Sequence, residues 1–227
     1  MKIIVLMKQV ANKDAVLRIA GDEKWINEAD VSQQTNESDG YALEEALRTV
    51  ETKGEGEVVV CTLGPQTAKT VIKDALARGA NRAIHIVVED SKTLSPYQIA
   101  KAISDAIREE NADLVFTGLQ SDDASYGQTG VILAELLGIP HATIVIEVDR
   151  ASLGETIRYA SLKGIMAAKS KEVREVTPSL ESFASASKIE KVYMPLKTKQ
   201  TQILGNGDAK AGAVELVEKL RTEVRVI

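Results

Sequence analysis

The chain has 227 residues, enough for one sizeable core, or one core with a small appendage. It is 44% hydrophobic and 27% charged, with a formal net charge of −5, which fits a water-facing globular protein and argues against a nucleic-acid partner, since that needs a basic surface. No apolar run is long enough to insert in a bilayer, and the two histidines and the single cysteine form no cluster with metal-ligand spacing.

Residues 2–7 read as a buried strand. Lys2 and Lys8 sit at the ends of its short apolar centre, unlike a signal peptide, and a cytoplasmic location is expected. Residues 8–14 leave the strand as a loop, and 15–35 are irregular, with a turn at Gly21-Asp22. A helix follows over the apolar positions Leu43, Ala46, Leu47 and Val50, and Ser38 or Asp39 is the expected N-cap. Residues 57–62 are the second strand, with Cys61 as a core thiol, and end in the loop Leu63-Gly64-Pro65. A helix over 67–78 stops at Gly79, a C-cap signal. Residues 82–88 form a strand, within which His85 reads as structural. Ser95-Pro96 opens a helix running to about residue 110, and 113–117 is the fourth strand. The helix near 128–137 leads through Gly138-Ile139-Pro140-His141 into residues 142–148, the expected fifth strand. Strands alternating with helices predict an α/β fold with a doubly wound, mainly parallel five-stranded sheet of the Rossmann-like, nucleotide-binding kind. Beyond residue 150 the pattern weakens. Residues 158–171 mix apolar and basic side chains, 179–187 read as a tether, 191–195 and 201–204 as short strands or extended arm, and 209–221 as an amphipathic helix. The expected division is therefore an α/β domain over 1–178 and a C-terminal arm over 179–227.

The stretch Gly118–Gly130 runs from the C-terminal end of a buried strand to the start of a helix, where open α/β sheets bind ligands. Gly127, Thr129 and Gly130 stand where free N–H groups and the helix dipole favour an anion, and the Thr129 hydroxyl is a further donor. The spacing is neither a Walker A loop nor G-x-G-x-x-G, so a sharp turn accounts for the glycines equally well. Asp122 and Asp123 are expected to point away from a phosphate, at least one of them accepting from ribose hydroxyls or loop N–H groups; a solvated acidic loop tip is the alternative. The sequence holds no convincing catalytic triad, metal site or carboxylate pair, so no catalytic residue is assigned and the chain does not read as an enzyme by itself.

Five blocks, in order, resemble the beta subunit of electron transfer flavoprotein. They are Val5-Leu6-Met7-Lys8-Gln9; Ala42-Leu43-Glu44-Glu45-Ala46-Leu47; Leu63-Gly64-Pro65 with Ala75-Leu76-Ala77-Arg78-Gly79-Ala80-Asn81-Arg82-Ala83; the Gly118–Gly130 loop ending Gln128-Thr129-Gly130; and Arg158-Tyr159-Ala160-Ser161-Leu162 followed by Ile165-Met166-Ala167-Ala168-Lys169. The resemblance implies an electron-carrier subunit in a heterodimer with an alpha subunit that carries the redox-active FAD. It also implies AMP in the beta subunit's own site, and flavin dehydrogenases and a quinone oxidoreductase as redox partners. Carried over, the nucleotide contacts are Leu6, Asn36, Glu37, Ser38, Asp39, Leu63, Gly118, Gln120, Asp122, Asp123, Tyr126, Gly127, Gln128 and Thr129. Two departures stand out. Family members often have Asn-Pro-Phe, with the aromatic near the alpha-subunit flavin, where this chain has Asn36-Glu37-Ser38. They also carry several strands' worth of chain where residues 149–158 make a short link. Two other readings remain: an electron-bifurcating subunit holding a second FAD in place of AMP, against which Gln128-Thr129-Gly130 argues, and a stand-alone nucleotide-binding domain of the universal-stress type.

Overall fold

The fold is described from a computed structural model over residues 1–29, 31–145, 148, 157–179, 189–195 and 201–224. Strand β1 (Lys2–Leu6) pairs in parallel with β4 (Glu57–Gly64) on one side and β6 (Leu114–Phe116) on the other, placing Ile4 between Val59 and Val115. Ile3, Ile4 and Val5 are fully buried, because a parallel strand covered on both faces must be apolar at every position rather than at alternate ones. The sheet order is β6-β1-β4-β5-β7, with β5 at Arg82–Val87 and β7 at Val173–Val176.

Alternate residues feed two cores. Ile3, Val5, Val58, Val60 and Ala83 face α1 (Glu37–Lys53) and α2 (Lys69–Arg78); Ile4, Val59, Cys61, Ile84 and Ile86 face α3 (Pro96–Ile107) and α4 (Thr129–Leu137). Burial pushes the Cys61 thiol up to about 12, which makes it a packing group and not a nucleophile. The chain steps from β1 to β4 to β5 in one direction and then returns to place β6 on the far side of β1. The order therefore reverses between β1 and β6, and the crevice beyond their C-terminal ends is the switch point of the sheet.

The helix signals hold at α3, where Ser95 and Gln98 form a reciprocal capping box with Pro96 at the first helical position. Helix α1 differs from expectation. Its N-cap is Asn36, which makes no side-chain capping bond, and Ser38 and Asp39 lie inside the first turn with their side chains directed at other loops. The fifth strand is also different. Residues 142–145 form no strand, and Ile146 and Glu147 lie outside the described residues. The fifth position is filled by β7, paired in parallel with β5 through Ala83↔Val173 to Ile86↔Val176. Four residues, two of them charged, at a sheet edge leave no apolar run to detect. A two-stranded antiparallel sheet joins β2 (Gln9–Ala11) to β3 (Gln33–Thr35), in a region read as loop. The short α5 (Leu162–Ala168) begins at Ser161, whose hydroxyl accepts from the Gly164 N–H at 3.0 Å.

Residues 1–192 and 193–227 form two compact units. In the second, Asp208 caps α6 (Ala209–Lys219) through the N–H groups of Lys210 and Ala211, and no residue of the helix is buried. Residues 193–195 and 201–204 form no strand.

The relocated fifth strand has a direct test. Val145 is exposed, whereas Val176 packs against the core beneath α3. Val145→Asp should change unfolding free energy by about 0.5 kcal/mol or less. Val176→Asp should cost about 2 kcal/mol or more, since it sets a carboxylate against apolar groups. Urea melts of the two variants check this.

Candidate functional site

Three strand exits meet at the switch point. Lys8 follows β1, Gly118 follows β6, and the residues leading into α1 lie between them. Asp39 joins all three: one carboxylate oxygen accepts from the Lys8 N–H at 2.8 Å and the other from the Gly118 N–H at 3.1 Å. The Asn36 N–H donates to the Lys8 carbonyl at 2.9 Å. The Asn36 amide donates to the Gln120 carbonyl at 3.0 Å and accepts from the Asp122 N–H at 2.9 Å. The Ser38 hydroxyl donates to the same Gln120 carbonyl at 2.9 Å. Side chains early in α1 thus satisfy the backbone of the loop after β6, a division of labour that frees the loop from secondary structure of its own.

Gly118 is sterically required. A Cβ there would lie 2.2 Å from the Asp39 carboxylate and 2.4 Å from the Ser38 hydroxyl. The two adjoining acids accept backbone N–H bonds: Asp122 from Glu37 at 3.4 Å, and Asp123 from Ala124 at 2.6 Å. Asp123 also pairs with the Lys8 ammonium at 2.6 Å. Burial works against the charge of Asp123, but Lys8 outweighs it and holds the carboxyl below its ordinary range. Lys8 was not among the sequence-predicted contacts. Its signal was available, since it is the first charged residue past the end of a central buried strand.

The remaining predicted residues fall into two groups. Leu6 and Leu63 belong to the apolar layer under α3 and α4 and support the site from below. Tyr126, Gly127 and Gln128 are exposed and lead into Thr129, the first residue of α4. Gly127 has φ +62, and Gln128 stands at the N-cap without a side-chain capping bond. The start of α4 therefore lacks the cap that Ser95 gives α3, next to a loop already fixed by Asn36, Ser38 and Asp39. Backbone N–H groups left uncapped at a helix start suit an anion. Beside the junction, a cavity of about 470 Å³ is lined by residues that include Lys13, Asn36, Glu37, Asp74, Arg78 and Tyr159. Among the described residues no group of histidine, cysteine, aspartate and glutamate is placed to hold a metal ion, and no helix is long and apolar enough to cross a membrane.

Asp39 is the electrostatic weak point of the junction. Burial raises its pKa to about 6, against hydrogen bonds from Lys8, Asn36 and Gly118 and the charge of Lys8, all of which lower it. Because the folded value lies above the unfolded one, the stability linked to the Asp39 proton is fully present below about pH 4 and lost as pH rises through about 6. Asp39→Asn should remove this pH dependence, on the order of 2–3 kcal/mol across that window. Unfolding free energies of both proteins from pH 4 to 7 measure it; parallel curves would place the Asp39 carboxyl near its ordinary value.

The comparisons with known proteins agree with this architecture. The electron transfer flavoprotein domain family matches residues 24–160. The chain is 33% identical to the mitochondrial electron transfer flavoprotein subunit beta of Oryza sativa subsp. japonica, with 100% of each chain covered. It is 32% identical to the subunit beta of Bradyrhizobium diazoefficiens, again over 100% of both, and 29% identical to that of Methylophilus methylotrophus, over 94% of this chain and 96% of the relative. The alignment with the rice protein runs over 259 positions against 227 residues here, so this chain has gaps along the shared length. The sheet, the site at its switch point and the full-length match together show that the chain belongs to the electron transfer flavoprotein family, as a beta subunit.

Proposed function

We propose that this beta subunit holds AMP at the switch point, braces an alpha subunit that carries FAD, and presents a docking surface to flavin dehydrogenases. The observation that carries the nucleotide reading is the start of α4, uncapped by a side chain and set beside a loop whose N–H groups at Gly118, Asp122 and Ala124 are occupied by Asp39, Asn36 and Asp123. The phosphate takes the N–H groups at Gly127–Gly130 and the Thr129 hydroxyl. Asp122 accepts from the Glu37 N–H of α1, and Asp123 from Ala124 and Lys8, so in this account neither faces the phosphate. The ending Gln128-Thr129-Gly130 favours AMP over a second FAD.

Docking is supported by α5. Tyr159 is 88% exposed, and Leu162 and Met166 are 78% and 59% exposed, an apolar surface with Lys163 and Lys169 at its rim. Bracing is supported by the second unit. Val214, Leu216 and Val217 of α6 are exposed, and an eleven-residue helix with no buried residue gains its stability from a surface outside itself. The arm from Tyr193 onward packs on the alpha subunit in this account.

Three measurements test these readings. Denaturing the purified heterodimer should release AMP and one FAD per complex; a second FAD in place of AMP would contradict the site assignment. Thr129→Val should weaken nucleotide retention roughly tenfold to a hundredfold, as expected for a lost hydrogen bond to a charged group. For the arm, deleting residues after Pro195 should abolish heterodimer formation and leave the remaining chain folded. A truncated chain that unfolds, or that assembles at unchanged affinity, would overturn the bracing role.

A further inference from the structure

Helix α5 has seven residues, none of them buried, and turns its large apolar side chains outward. So short a helix has little stability of its own in water, and of its larger side chains none is buried, Ala168 alone packing against the core. It is held at three other points. Ahead of it, Arg158 grips α1: its backbone N–H donates to Glu44 Oε2 at 3.0 Å, its Nε to the same oxygen at 2.9 Å, and its Nη2 to Glu44 Oε1 at 3.0 Å and Glu51 Oε2 at 2.9 Å. Glu44 is a buried carboxylate on α1 that also receives the Arg48 guanidinium at 2.7 Å. Behind it, the Lys171 ammonium donates to the carbonyls of Leu76 and Ala80 at 2.8 and 2.6 Å, at the C-terminal end of α2. Between them, Gly164 lies so close to α2 that a Cβ would stand 2.0 Å from the Ala77 carbonyl oxygen.

We infer that Arg158 and Lys171 are positioning residues that hold α5 with its apolar side chains presented to the redox partner. The inference rests on the docking role proposed above for that helix. The chemistry of the two grips suits the task. The planar fork of Arg158 spans two carboxylates a helical turn or more apart on α1, which a lysine cannot reproduce. Lys171 answers the negative end of the α2 dipole, taking the Leu76 carbonyl of the last turn and the Ala80 carbonyl just past it. The side chains of Leu162, Ile165 and Met166 are not needed for the fold and are left to a partner. The same α1 that carries Glu44 and Glu51 begins with Asn36, Ser38 and Asp39, so one helix supports both the nucleotide loop and the docking helix.

The test uses the FAD-loaded heterodimer, with Arg158→Lys, Arg158→Met and Lys171→Met compared against the surface variant Leu162→Asp/Met166→Asp. Amide hydrogen exchange over residues 159–168 should quicken roughly tenfold or more in Arg158→Met and Lys171→Met, and in Arg158→Lys, while nucleotide content and heterodimer assembly stay unchanged. Steady-state reduction by a flavin dehydrogenase should show a raised KM and an unchanged kcat. Unchanged exchange at α5 would overturn the inference. So would quickened exchange with an unchanged KM, if Leu162→Asp/Met166→Asp raises it; the docking role would then stand without the two grips. If Leu162→Asp/Met166→Asp also leaves KM unchanged, the docking role itself fails, and the inference with it.

Discussion

One carboxylate organises the functional end of this molecule. Asp39 joins the exit of the central strand, the start of α1 and the exit of β6 through two backbone N–H groups. Neither N–H has a ladder partner at that point, so each would be an orphan without it. The arrangement is costly, because burial opposes the charge that makes the bonds strong, and it is inflexible, because Gly118 is the only residue that clears the carboxylate. The loop is thereby fixed from outside, up to the start of α4, where Gln128 makes no side-chain capping bond.

The two ends of the sheet are finished differently. At the N-terminal ends of the strands, Lys2, Glu57, Arg82, Glu110 and Arg174 form one ion-pair network; Arg82 pairs with Glu57 at 2.7 Å and with Glu110 at 2.6 Å. The Arg82 guanidinium leads in holding the Glu110 carboxyl below its usual range. That end is closed by charges satisfying one another. At the C-terminal ends the acids are occupied by backbone N–H groups and by Lys8, and the backbone is what remains to meet a ligand. Both ends follow from one rule, that charge withdrawn from water must be paired.

Much of this was legible in the sequence, for reasons that particular residues make plain. The central strands announce themselves because Ile3-Ile4-Val5 and Val58-Val59-Val60 must be apolar on both faces. Ser95-Pro96 announces α3 because its capping chemistry is local. The Gly118–Gly130 loop was legible because a glycine-rich turn follows an apolar run and precedes a helix. What failed was non-local. Ser38 and Asp39 look like caps from sequence, since a carboxylate bonding the residue 79 positions away leaves the same letters as one bonding its own helix. Strand β7 is defined by its neighbour Ala83–Ile86 and not by its own pattern, whereas the strand-like letters at 142–145 find no such neighbour. Lys8 was overlooked because its importance lies in Asp123, far along the chain.

The central claim is that the junction made by Lys8, residues 36–39 and the Gly118–Thr129 loop is the nucleotide site. Amide hydrogen exchange of the heterodimer, with and without AMP, tests it most directly. The account predicts that AMP slows exchange in residues 118–131, at Lys8 and over 36–39, and leaves the ion-paired end near Glu57, Arg82 and Glu110 unchanged. Protection confined to any other surface, with none in residues 118–131, would contradict it.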